Sequence, residues 1–117
     1  MDTRTKIISL EEAALRLREG NLLAVRLDCD PLLAPLAAAL QKLGRPVLAL
    51  LNKRADGYLE TRARMELAAG LAAVAYVAEG DLQGGDIVDL RGAEDAWRSD
   101  LEALVLSKSA LNKNEAL

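Results

Sequence analysis

Three short aliphatic runs, residues 22–27, 47–51 and 72–77, recur along the chain with stretches of helix length around them. No other feature restricts the fold as tightly. A run that short and that apolar suits a strand buried on both faces, and such strands belong to parallel sheets covered by helices. The intervening segments supply those helices. Ser9-Leu10-Glu11-Glu12 forms a capping box, with Ser9 as N-cap and Glu12 at the third helical position. Leu10, Ala13, Ala14 and Leu17 then share one face until Gly20 stops the helix. Asp30-Pro31 has the pattern of an acidic N-cap with proline in the first turn, which predicts a helix over 31–43, ended by Gly44-Arg45-Pro46.

Residues 60–71 read as a helix charged on one side through Arg62, Arg64 and Glu66. A last helix begins near Ala93, with Ala93, Trp97, Leu101, Leu104 and Val105 as its stripe and Glu94 one turn from Arg98. Between these two helices, residues 86–90 offer a fourth strand. The 79–85 loop before it barely allows a parallel crossover, which leaves the strand's direction open and an antiparallel edge position available to it. The predicted fold is a single Rossmann-like α/β domain over residues 1–117: three layers, a mostly parallel sheet of about four strands, and helices on both faces. Its polar tail is expected to fray from about residue 107.

Composition removes several function classes. The chain has 117 residues, no Phe, one Trp, two Tyr and a net charge of −3. It therefore offers few rings for stacking bases and no basic surface for nucleic acid or anionic membrane. Cys29 is the single cysteine and His is absent, which excludes an internal disulfide and argues against a zinc site. The charged start lacks a signal core, and the longest apolar runs, 32–40 and 68–78, are too short to span a bilayer, so the expected location is cytoplasmic.

Candidate functional residues cluster after the first two strands. Asp28 and Asp30 suit a metal or acid/base pair, or turn and cap duties. Asn52, Lys53 and Arg54 follow the second strand, at the mouth where α/β sheets bind ligands; Lys53 and Arg54 would grip a phosphate there or simply face water. Cys29 suits a small buried position. The 80–85 loop is Gly-rich without Walker spacing. The 32–40 stretch, with Leu32, Leu33, Leu36 and Leu40, is apolar nearly all round, which predicts a central helix or one covered by a second copy in a homodimer.

Lys6-Ile7-Ile8-Ser9-Leu10-Glu11-Glu12-Ala13 resembles the lead-in of the bacterial heptose-phosphate adenylyltransferases, relatives of the glycerol-phosphate cytidylyltransferases in the nucleotidyltransferase superfamily. Those proteins continue after a strand with Asn-Gly-Cys-Phe-Asp-Leu-Leu-His-Ala-Gly-His. Here that place holds Asp28-Cys29-Asp30-Pro31-Leu32-Leu33-Ala34-Pro35-Leu36-Ala37. Leu51-Asn52 is similar to the family's Gly-Leu-Asn. Arg64, Glu66, Ala69, Leu71, Val74, Tyr76 and Val77 match a further family stretch at unbroken spacing, and Ser107-Lys108-Ser109-Ala110-Leu111 is a faint echo of a C-terminal motif. The resemblance covers roughly residues 6–78.

The resemblance implies a cytidylyltransferase-like fold and, in an active member, transfer from CTP or ATP with Mg2+ to a sugar or polyol phosphate. The family's two histidines donate to nucleotide phosphates, and the glycine between them lets backbone approach. Those three positions are Ala34, Leu36 and Ala37 in this chain, which contains no histidine. The expected function is thus a non-catalytic, pseudoenzyme-type relative that self-associates or regulates, with no catalytic residue, metal or cofactor. Asp30, as N-cap, would fill the family's anion site from within. The alternatives are a divergent transferase using Lys53, Arg54 or Arg64 with Mg2+ and CTP or ATP, and a nucleotide or small-phosphate sensor. The pocket in any of these would be Asp28, Asp30, Asn52, Lys53 and Arg64.

Overall fold

A computed structural model describes the backbone of residues 3–53, 59–84 and 86–115, and the side chains of residues 5–53, 59–84 and 86–107. After a 3-10 turn at Thr3–Lys6 the elements run α1 (Leu10–Arg18), β1 (Leu23–Leu27), α2 (Ala34–Lys42), β2 (Val47–Leu51), α3 (Thr61–Ala69), β3 (Val74–Glu79), β4 (Val88–Asp89) and α4 (Arg91–Glu115). The four strands form one sheet in the order β3-β2-β1-β4, every pair parallel. It is an α/β fold with a three-layer, Rossmann-like arrangement.

The aliphatic runs become strands because both faces are covered. β2 lies at the centre and is buried at every position. Val25, Leu27, Val47, Ala49, Leu51, Val74 and Val77 face Leu36 and Leu40 of α2, Met65, Ala68 and Ala69 of α3, and Trp97 of α4. Ala24, Leu48, Leu50 and Ala78 face the other way, onto Leu10, Ala13 and Leu17 of α1 and onto Leu82 and Ile87. Val74 and Val77 share a face despite their odd spacing because the β2–β3 register shifts between Val47 and Leu48.

Ser9 caps α1 as expected, its Oγ accepting the Glu12 N–H at 3.1 Å. The fourth strand, whose direction the sequence leaves open, pairs parallel with β1, Val25 opposite Val88 and Arg26 opposite Asp89. The loop before it does a helix's work. It crosses the α1 face of the sheet, packing the half-buried Leu82 and Ile87 against it, and Arg26 of β1 holds it by donating to Asp81 Oδ1 at 2.8 Å and to the Leu82 carbonyl at 3.3 Å. Gly80 opens this loop at φ +119°, a conformation that strains any L side chain, and a Cβ there would press on Leu10 Cδ2 at 3.0 Å.

The start of α2 also departs from expectation. The helix begins at Ala34 with Leu33 as N-cap and proline in its first turn, not at Asp30-Pro31. Asp30 is buried and its carboxylate accepts the Leu59 N–H at 2.7 Å, so it ties the β1–α2 loop to the lead-in of α3 instead of capping α2. Leu33, Leu36 and Leu40 are all buried in the domain's own core; the outward positions of α2 are Ala34, Pro35, Ala38, Gln41 and Lys42. The helical backbone of α4 continues past residue 107 to Glu115. Among the described residues no helix is long and apolar enough to cross a membrane.

Candidate functional site

The order β3-β2-β1-β4 reverses direction at β1. Connections on one face lead from β1 outward to β3, and the next returns across the opposite face to β4. A crevice at such a switch point, beyond the carboxyl ends of the strands, is where open α/β sheets bind ligands. Here that point is the end of β1, residues Asp28 and Cys29, facing the start of α4.

It is filled by a side chain of the chain itself. Glu94, in the first turn of α4, is 0 % exposed and spreads its two carboxylate oxygens over two successive backbone amides. The Asp28 N–H donates to Oε1 at 2.8 Å and the Cys29 N–H donates to Oε2 at 2.9 Å. Cys29 sits in the left-handed region at φ 49°, uncommon outside glycine, and turns the chain so that both amides point the same way. The α4 start is set against β1 by the Leu90 N–H, which donates to the Arg26 carbonyl at 3.1 Å.

Arg64 completes the knot from the α3 side. Its guanidinium, also 0 % exposed, donates from Nε to the Asp28 carbonyl at 2.6 Å and from Nη1 to the Asn52 carbonyl at 2.8 Å. Nη2 lies 3.7 Å from Asp28 Oδ1. One arginine thereby satisfies the carbonyls just past the ends of β1 and β2 and offsets a buried carboxylate. This corrects the expectation that Arg64 lies on the charged side of its helix: Arg62 and Glu66 hold that side, paired at 3.3 Å, and Arg64 points inward.

Burial controls the protonation of the groups packed here. It pushes the Glu94 carboxyl above its ordinary value, against the opposing pull of the two amide hydrogen bonds. It also pushes the Cys29 thiol up to about 12, with the neighbouring Glu94 charge adding to the effect. A thiol held protonated near neutrality is a poor nucleophile.

The structure thus brings Asp28, Arg64 and the Asn52 carbonyl together, and Asp30 lies in the same loop but turns toward Leu59. Lys53 is exposed beyond β2, and Arg54 lies outside the described residues. Among the described residues no group of His, Cys, Asp and Glu side chains is arranged to hold a metal ion. Surface cavities of about 410 and 340 Å³ lie elsewhere: one runs along Gln41, Arg45 and Ala73 at the opposite edge of the sheet, the other between Leu33, Leu59 and Leu101. Glu94 is the site residue the sequence did not disclose. Its spacing to Arg98 advertises a surface pair, whereas Arg98 bonds Asp95 at 2.8 Å. No protein-family model and no curated protein matches the chain.

Proposed function

We propose that this chain is a non-catalytic, nucleotidyltransferase-like domain that works by self-association or regulation. One observation carries the reading: the paired amides at the switch point are bound by Glu94. Converging N–H groups after a first strand are what a nucleotide phosphate would seek. A phosphate arriving there would meet a carboxylate, and displacing Glu94 would leave a fully buried charge with no partner, at a penalty of several kcal/mol. The residues that stand where the resemblance puts histidines point the same way. Ala34 begins α2 and Leu36 is buried in the core, and neither side chain carries a donor for a phosphate.

The transferase alternative draws on Arg64, whose three nitrogens already face Asp28 and Asn52. Reaching a nucleotide would require that knot to open. Thermal-shift titration with CTP and ATP, with and without Mg2+, tests the proposal. No shift and no release of pyrophosphate with sugar or polyol phosphates are expected. A ligand present at a hundred times its dissociation constant would stabilise the fold by about 2.7 kcal/mol, and a shift of that size would overturn the reading.

A further inference from the structure

We infer that the outer half of α4 pairs antiparallel with the α4 of a second copy, about a two-fold axis passing between Leu104 and Val105. The inference specifies the self-association named above and is independent of whether nucleotide binds. Every described side chain from 101 to 107 is exposed, and Leu101, Leu104, Val105 and Leu106 are between 48 and 70 % exposed. A soluble surface tolerates single aliphatics, but Leu101, Leu104 and Val105 share one face over two adjoining turns and form a patch of the kind that marks an interface, with Leu106 on the other side of the helix. The patch also has a direction. Trp97 packs on the domain's core, and Leu101, Leu104 and Val105 continue the same face of the helix outward at helical spacing.

The inner end of this stripe opens into an apolar-walled groove of about 340 Å³, lined by Pro31, Leu33, Leu59, Arg98, Leu101 and Glu102. Leu101 belongs to both groove and stripe, so the two form one surface. The molecule measures 62 × 29 × 26 Å. A stripe on a long helix beside a groove at its base is self-complementary under a two-fold axis, as an isologous interface requires. With the axis between Leu104 and Val105, residues 105–115 of each helix extend about 15 Å along the other at 1.5 Å per residue. That length carries them across the groove at Leu101, which lies only about 5 Å from the axis.

Charge selects a second copy, and selects this direction. The inner half of α4 carries Glu94, Asp95, Asp100 and Glu102 against Arg91 and Arg98, the latter paired with Asp95, whereas the outer half carries Lys108 and Lys113 against Glu115, so the two halves differ in the sign of their net charge. Antiparallel pairing sets acidic half against basic half twice over; parallel pairing would set like against like. In this register Lys108 comes opposite Leu101 of the other copy, between that copy's Asp100 and Glu102.

Light scattering across a concentration series, with circular dichroism as the control for folding, tests the inference. The wild-type chain is expected to be a dimer and Leu104→Glu a folded monomer. Asp100→Lys is expected to weaken the dimer about tenfold, since one attractive contact becomes repulsive at each of two equivalent places, and Asp100→Lys with Lys108→Glu to restore it. A wild-type monomer throughout, or a dimer indifferent to Leu104→Glu, would overturn the interface. Failure of the double reversal to restore what Asp100→Lys removes would overturn the antiparallel register.

Discussion

The two halves of α4 break opposite rules. In its first turn the helix puts a carboxylate, Glu94, inside the molecule; two turns later it puts Leu101, Leu104, Val105 and Leu106 outside. Folding alone favours neither, because a buried charge is costly unless fully bonded and exposed aliphatics forgo their burial energy. The inner violation is resolved within the chain, where two amides and the turn at Cys29 receive the carboxylate. The outer one is not resolved by any described residue. The comparison teaches where the molecule is finished and where it is open: the place at which a Rossmann-like sheet would admit a ligand is closed, and the free surface lies on the projecting helix.

Substitutions should separate these halves. Glu94→Ala leaves two buried amides without an acceptor and opens a void beside β1. A loss of about 3–5 kcal/mol in urea unfolding is expected, with Glu94→Gln, which keeps one acceptor, losing less. A loss under about 1 kcal/mol for the alanine variant would mean that the carboxylate is not bound as described. A smaller effect belongs to the entry of α4, where Arg91 hydrogen-bonds Asp89 and holds its carboxyl down at about 2. An acid whose folded value lies below its ordinary 3.8 adds stability that is complete above that value and is lost as pH falls toward 2. Because the Asp89 side chain is 41 % exposed, solvent screening keeps this below about 1 kcal/mol. Asp89→Asn should flatten that part of the pH–stability curve, and an unchanged curve would refute the assignment. The smallest effect is expected for the outer half, where Leu104→Glu should change the unfolding free energy of the monomer by no more than about 0.5 kcal/mol. A larger loss would show that Leu104 packs within its own chain.

The sequence disclosed what depends on local pattern. The aliphatic runs gave the strands, Ser9 with Glu12 gave the start of α1, and the Trp97–Leu101–Leu104–Val105 spacing gave the stripe of α4. Long-range chemistry was hidden. Asp30-Pro31 has the local grammar of a helix start, yet Asp30 bonds an amide twenty-nine residues away and α2 begins later. Glu94 bonds an amide sixty-six residues away, and no spacing within its own helix announces that. Arg64 sits between Arg62 and Glu66, which suggests a solvated face, although it lies on the opposite side of the turn. The direction of β4 is open in the sequence for a similar reason. A loop too short for a helix still crosses the sheet when Arg26 and the apolar Leu82 and Ile87 pin it down.

The amide resonances of Asp28 and Cys29 report most directly on whether the switch point is closed. In a nuclear magnetic resonance titration with millimolar CTP or ATP and Mg2+, both should stay in place, still protected from exchange by Glu94. Saturable movement of those two signals, with faster exchange as Glu94 is displaced, would contradict the account.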